Sequence, residues 1–275
     1  MTGVLMKIVI APDSFKDSMT ALEACDAIKE GMCRVLPENN QNSYHLVPVA
    51  DGGEGTMTAI AHNQGGRFHH INVQGPLQQT TEAKLLELDD NCYIEVASAC
   101  GLELVPQAER NPMLTSSFGV GQLIIAALKY QPKKIIIGLG GSATNDGGTG
   151  MLAALGARFY RSDNSVFVPT GGTLSEIAKI DLSQLAPELS QSNISFIADV
   201  CLPLCGEHGA TYTFARQKGA SEQQLTLLEQ GLTHFADMLA KLSGQHIHHQ
   251  AGAGAAGGMA IAFMALFNSK VLPGS

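Results

Sequence analysis

The chain has 275 residues, 45% of them hydrophobic and 15% charged, the balance of a folded globular protein with a sizeable core in one large or two moderate domains. A formal net charge of −8 argues against nucleic acid or an anionic membrane as the main partner, because phosphate surfaces call for a basic face. It leaves room for a small anionic metabolite held by a local cluster of donors.

Residues 7–11, Lys-Ile-Val-Ile-Ala, are a β-branched run that predicts a strand buried on both faces. A polar turn, Pro12-Asp-Ser-Phe-Lys-Asp-Ser18, follows. Ala21, Leu22, Cys25, Ile28, Met32 and Val35 then recur at helical spacing and stop before Pro37. Residues 44–50 predict a second strand, which runs into Asp51-Gly-Gly-Glu-Gly-Thr56 and a helix over 57–62. Strand, loop and helix repeated twice predict parallel α/β structure, with both loops at the strand ends where open α/β sheets bind ligands. The pattern changes near residue 66. Segments 67–73, 82–88 and 92–97 alternate like consecutive strands, with Asp89-Asp90-Asn91 as a hairpin turn. A helix over 119–130, closed by Gln131-Pro132, and a strand over 134–138 complete a βββαβ order that suggests a second domain with a mixed sheet. Further on, a strand over 194–198 leads to Asp199, a helix covers 222–242, and the glycine-rich stretch 251–258 precedes an apolar helix over 259–267.

Strand 134–138 delivers the densest motif, Gly138-Leu-Gly-Gly-Ser-Ala-Thr-Asn-Asp-Gly-Gly148. Glycines after a buried strand let backbone N–H groups approach an anion, and a following helix would add its positive end. Ser142, Thr144 and Asn145 offer side-chain hydrogen bonds, Gly140, Gly141, Gly147 and Gly148 offer backbone, and Asp146 is a candidate cation ligand. A P-loop would end in Gly-Lys-Ser/Thr, which is missing here. The dinucleotide fingerprint does fit Gly138 to Ala143, with Asp163 about 20 residues on as a ribose-binding acid. It ranks second, because Thr144 to Gly148 would fill the first helical turn and each glycine there would cost about 1 kcal/mol. A ligand-free glycine turn is the plainest alternative.

In the first polar turn, Lys16 would neutralise phosphoryl oxygens, Asp13 would serve as general base or metal ligand, and Ser14 and Ser18 would bind phosphate. Helix capping by Asp17 or Ser18 is the structural alternative. Asp51 and Glu54, beside the flexible Gly52 and Gly53, suit Mg²⁺, which takes a few carboxylates together with water and substrate phosphates. An acidic turn at a helix N-terminus explains Glu54 equally well. His246, His248 and His249 match no zinc module. The six cysteines, at 25, 33, 92, 100, 201 and 205, form no C-x-x-C pair and read as reduced intracellular thiols. The N-terminus does not read as a signal peptide, and no apolar stretch approaches membrane-spanning length. A soluble, cytoplasmic protein is expected, and a homo-oligomer is compatible with the sequence.

Taken in order, residues 8–18, 49–56, 98–106, Arg110-Asn-Pro112, 137–148, Gln217-Lys-Gly219 and 251–258 resemble the bacterial glycerate kinase family, in the branch that phosphorylates D-glycerate with ATP. The matching stretches are spread over essentially the whole chain. The resemblance implies two α/β domains, one flavodoxin-like and one restriction-endonuclease-like, with the active site between them. The expected division is 1–65 for the first part of the flavodoxin-like domain, 66–255 for the second domain, and 256–275 for an apolar helix returning toward the first. It also implies transfer of the ATP γ-phosphoryl group to a glycerate hydroxyl with Mg²⁺, giving 2-phosphoglycerate. Asp13 or Asp199 would be the base, Lys16 would meet the transferring group, and Asp51, Glu54 or Asp146 would lie near the metal. Leu202 stands where the family usually has Asn, and Ala215-Arg216 where it has Gly-Pro. Family members run past this length, so a C-terminally shortened chain is expected, with part of the flavodoxin-like sheet absent. A catalytically silent binding or assembly relative is the competing function, ahead of a nicotinamide-dependent enzyme.

Overall fold

The structure, a computed structural model, describes residues 6–15, 18–38 and 42–274. Strand β1 (Met6–Ile10) and helix α1 (Ala21–Cys33) lead to β2 (Asn42–Leu46), which pairs with β1 in parallel. Thr20, not Ser18, caps α1. Its hydroxyl accepts from Glu23 N–H at 3.2 Å while the Glu23 carboxylate accepts from Thr20 N–H at 2.8 Å, a reciprocal capping box. Strand β2 ends at Leu46, earlier than its sequence suggests, although Val47 and Val49 N–H still donate to Ile10 O and Pro12 O beyond it. Helix α2 (Thr56–Gln64) follows.

Strands β3 (Arg67–Gln74), β4 (Thr80–Leu88) and β5 (Asn91–Glu95) form the expected antiparallel meander. β5 gives way at once to a short helix, α3 (Val96–Cys100), two residues before the predicted strand end, since Ala97-Ser-Ala99 favours helix over sheet. Then come α4 (Phe118–Leu128), β6 (Lys134–Gly138) and α5 (Thr149–Ala154). A small antiparallel sheet of β7 (Arg158–Tyr160), β8 (Val166–Phe167) and β9 (Lys179–Asp181) has strands of two or three residues, too short to show a period in sequence. The chain continues through β10 (Asn193–Ala198), α6 (Ala210–Phe214), α7 (Glu222–Ser243), α8 (Ile261–Phe267) and β11 (Val271–Pro273).

The main sheet has the order β11-β10-β6-β5-β4-β3, with β5, β6, β10 and β11 all parallel. The fold is thus mixed α/β, with a parallel half and an antiparallel half. Helix α8, apolar on all sides, lies inside the main core. Phe263 packs edge-on against Phe196 of β10 there. The strand after it, β11, reaches the Asp51 loop. Among the described residues no helix is long and apolar enough to cross a membrane.

Candidate active site at the parallel strand ends

Strands β5, β6 and β10 finish side by side, with Glu95 and Ile197 both in register with Gly138. The loop after α1 and β2 lies across this edge. Gly140 N–H donates to Gly52 O at 3.4 Å, and Leu139 N–H donates to Ile197 O at 2.9 Å. Any Cβ on Gly138 would sit 2.3 Å from Gly52 O, and one on Gly140 would sit 2.4 Å from Gly53 Cα. The two glycine motifs are therefore spaced by main-chain contact with no room for side chains.

The loops that carry Asp51, Asp199 and Asp13 are linked near the same edge through main-chain contacts, and Asp146 is not among them. Ala198 pairs with Pro273, so Gly274 stands beside Asp199, and a Cβ on Gly274 would collide with Asp51 O. Asp51 is half-buried and accepts from Gly53 N–H at 2.9 Å through Oδ1. The Thr56 hydroxyl accepts from Gly52 N–H at 3.1 Å and donates to Gly53 O at 2.9 Å, closing the loop on itself. Val49 N–H donates to Pro12 O at 3.2 Å, which brings the Asp13 turn to the stretch leading into Asp51. Asp13 is exposed and accepts from Ser14 N–H at 2.6 Å; Ser14, Ser18, Glu54 and Asp199 are exposed as well. Lys16 lies outside the described residues. Among the described residues no three His, Cys, Asp or Glu side chains converge as a ready-made metal cage, so Asp51, Glu54 and Asp146 do not form one cluster.

The 138–148 loop divides into a surface end and an interior. Gly141 is exposed and Gly140 half-buried, whereas every residue from Ser142 to Gly150 is buried. Asp146, expected near a metal, is fully enclosed. Its carboxylate accepts from Ser117 N–H at 2.9 Å, the Ser117 hydroxyl at 2.7 Å, Gly148 N–H at 3.1 Å and Gly150 N–H at 3.3 Å. Burial pushes its pKa up while those four hydrogen bonds pull it down. With its acceptor sites taken, Asp146 staples the loop to the start of α4. Asn145 Nδ2 donates to the Thr211 hydroxyl of α6 at 3.3 Å, and Gly147 N–H donates to Gly257 O at 3.0 Å. Thr144, Asn145, Gly147 and Gly148, expected to hold phosphate, thus pack against protein, and Gly140 and Gly141 are the part of the motif that faces outward. Helix α5 starts at Thr149, six residues after Ala143, behind a left-handed Gly148 with φ of 74°. A dinucleotide fingerprint needs that helix directly behind its third small residue. Asp163 is remote from it, in an exposed turn where it accepts from Ser165 N–H and hydroxyl at 2.9 and 2.6 Å.

Two buried charges escaped the sequence reading. The Glu95 carboxylate, at the end of β5, accepts from Met57 N–H at 2.6 Å and so pins the start of α2, and with it the Asp51 loop, to the main sheet. Burial raises its pKa. The signal was an acid closing an otherwise apolar strand. Lys218, in the turn after α6, donates to the Ser142 hydroxyl at 2.9 Å and to Thr144 O at 2.7 Å. Burial lowers its pKa to about 8. Its signal was membership of the Gln217-Lys-Gly219 motif, which assigned no role. A surface cleft of about 420 Å³ opens beside Gly219, lined also by Arg110, Asn111 and Gln224; none of the expected site residues lines it.

A family model described as the glycerate kinase family matches residues 8–275. The chain belongs to the glycerate kinase family. This family member is 44% identical over 269 residues to a glycerate kinase of Halalkalibacterium halodurans, covering 97% of this chain and 70% of that one. It is 43% identical over 271 residues to the glycerate 2-kinase of Escherichia coli, covering 98% of this chain and 70% of its relative. A crystal structure described as a candidate glycerate kinase 2 from Salmonella typhimurium LT2 superposes with a TM-score of 0.87 at 42% identity, covering 98% of this chain and 72% of that one.

Proposed function

We propose that this chain is an ATP-dependent glycerate kinase, transferring the γ-phosphoryl group of ATP to D-glycerate to give 2-phosphoglycerate. The observation that carries the reading is the contact of the Asp51 loop with the glycine-rich loop at Gly140, beside Asp199 and next to the Asp13 turn, in a chain of this family. Asp13 or Asp199 accepts the proton of the attacking glycerate hydroxyl. Both are exposed carboxylates at strand ends, able to meet a substrate without rearranging the core. Lys16 meets the transferring phosphoryl oxygens, and the Gly140 and Gly141 backbone, with Gly52 and Gly53, lines the anion site. Ser142 supports that site from the interior side, and Ser14 and Ser18 border it on the surface.

Mg²⁺ fits the donor set, because the half-buried Asp51 and exposed Glu54 supply hard oxygens at the sheet edge and the ion takes its other ligands from phosphates and water. Bound there, it would neutralise charge on the nucleotide phosphates. Residues 1–65 and 66–255 belong to the two α/β units of the family. Supporting this, β1, β2 and α1 share a small core of Ile10, Cys25 and Tyr44, separate from the main cluster. A cytoplasmic location accords with the same activity.

A coupled assay of ADP release with D-glycerate, with the product resolved by ³¹P NMR, tests the reading. The expected result is glycerate-dependent ADP formation with the phosphoryl group on the 2-hydroxyl. Folded protein without turnover would leave a binding or assembly relative, and enhanced NADH fluorescence on mixing would point to a dinucleotide site.

A further inference from the structure

Lysine is almost never fully enclosed unless a carboxylate meets it, because desolvating an ammonium costs far more than one neutral hydrogen bond returns. Lys218 is only 3% exposed, yet its ammonium touches a hydroxyl and a carbonyl and no carboxylate is within ion-pair reach among the described residues. The charged or titratable groups that act on it from neighbouring elements are Asp146 in the loop and Cys100 at the end of α3. A methionine would fill similar space without the desolvation, so packing alone does not explain a lysine at this position.

The contacts explain it. Ser142 and Thr144 lie in the loop 76 and 74 residues earlier in the chain, directly behind the exposed Gly141. The surface end is held at three points: Gly140 N–H on Gly52 O, Gly141 O on Leu102 N–H at 2.8 Å, and Ser142 on Lys218. Further in, the loop is held by the four hydrogen bonds of Asp146 and by Asn145 on Thr211, so Lys218 fastens the stretch between that interior and the surface end.

We propose that Lys218 is a positioning residue for phosphoryl transfer, a strut that sets the path of the glycine-rich loop from beneath by holding the Ser142 hydroxyl and the Thr144 carbonyl. It also places a positive charge under the Gly140–Gly141 backbone, in a protein of net charge −8. The role rests on the kinase reading above. It differs from that of the expected site residues, since Lys218 is enclosed and works through the loop.

The test compares wild type with Lys218→Met and Lys218→Arg, each as the full chain, in kinetics with ATP and D-glycerate and in hydrogen–deuterium exchange. Lys218→Met should lower kcat by about 10- to 100-fold with KM for ATP changed less than about threefold, the signature of lost positioning. Exchange at the Gly140 and Gly141 amides should quicken about tenfold or more while β3 and β4 stay as protected as in wild type. The alkaline fall of wild-type kcat, centred near about 8, should vanish in Lys218→Met and move to higher pH in any Lys218→Arg protein that folds, because arginine holds its proton. Unchanged kcat and pH profile in Lys218→Met would overturn the proposal, as would an increase in exchange spread evenly over the sheet. If wild type fails to phosphorylate glycerate, the kinase reading falls, and the exchange arm alone decides whether Lys218 holds the loop.

Discussion

Two strands of this protein carry nearly the same sequence, Lys7-Ile-Val-Ile10 in β1 and Lys134-Ile-Ile-Ile137 in β6, and meet opposite environments. In β6, Ile135 and Ile137 are fully buried, flanked by parallel strands on both sides and covered by the main core. In β1, Val9 is 64% exposed, and only Ile10 is fully enclosed, by a small cluster that includes Cys25 and Tyr44. The strand sequence sets the alternation of side chains. How many layers cover them is set by what pairs and packs alongside, which residues four apart in a short strand cannot encode.

The largest test of this contrast is truncation in the two places. Phe196→Ala, in the strand beside β6, should cost about 3–5 kcal/mol in urea unfolding, whereas Val9→Ala should stay within about 0.5 kcal/mol. Comparable losses at both sites would mean that β1 is covered in solution. The next effect concerns the line where the two regions touch. Gly140→Ala should lower kcat/KM by about 100-fold or more in steady-state assays, because its methyl would sit against Gly53 and push the Asp51 loop away. A smaller effect is electrostatic. Below about 8, Lys218 is charged in both folded and unfolded chains, and the folded protein carries the full desolvation cost. Between that pH and the ordinary lysine range the folded form gives up the proton first, so stability should rise with pH relative to Lys218→Met. Melting temperatures of the two proteins from pH 7 to 10 would show it; a gap that stays constant would mean that Lys218 stays charged when folded. The smallest contrast is chemical. Cys201 is exposed, while burial pushes Cys92 and Cys205 up to about 11, so a thiol reagent should label Cys201 ahead of both, as read by peptide mass spectrometry.

Much of the fold was legible wherever one element spans several periods. The helix predicted over 222–242 is α7, opened by the Ser221–Gln224 capping box, and the meander from residue 67 lies where alternation placed it. The three loops were legible because glycine and carboxylates cluster at strand ends. What could not be read was depth. Nothing in Ser-Ala-Thr-Asn-Asp distinguishes a loop that faces ligand from one that faces protein, since the same polar groups satisfy either. That Asp146 is met by Ser117, and Ser142 by Lys218, depends on segments 29 and 76 residues away. Likewise β7, β8 and β9 gain their pairing from one another and carry no pattern alone.

The seam where Gly52 and Gly53 lie on Gly138 and Gly140 contains main-chain atoms only. Its width is therefore fixed by van der Waals radii that every amino acid shares, and glycine is already the smallest residue available. Substitution at Gly138 or Gly140 can only widen the gap between the Asp51 loop and the glycine-rich loop, since a Cβ on either points straight at Gly52 or Gly53, and no substitution can narrow it. In evolutionary terms the spacing sits at a floor: sequence drift here has one direction open to it, and a widening made by one residue cannot be taken back by trimming another.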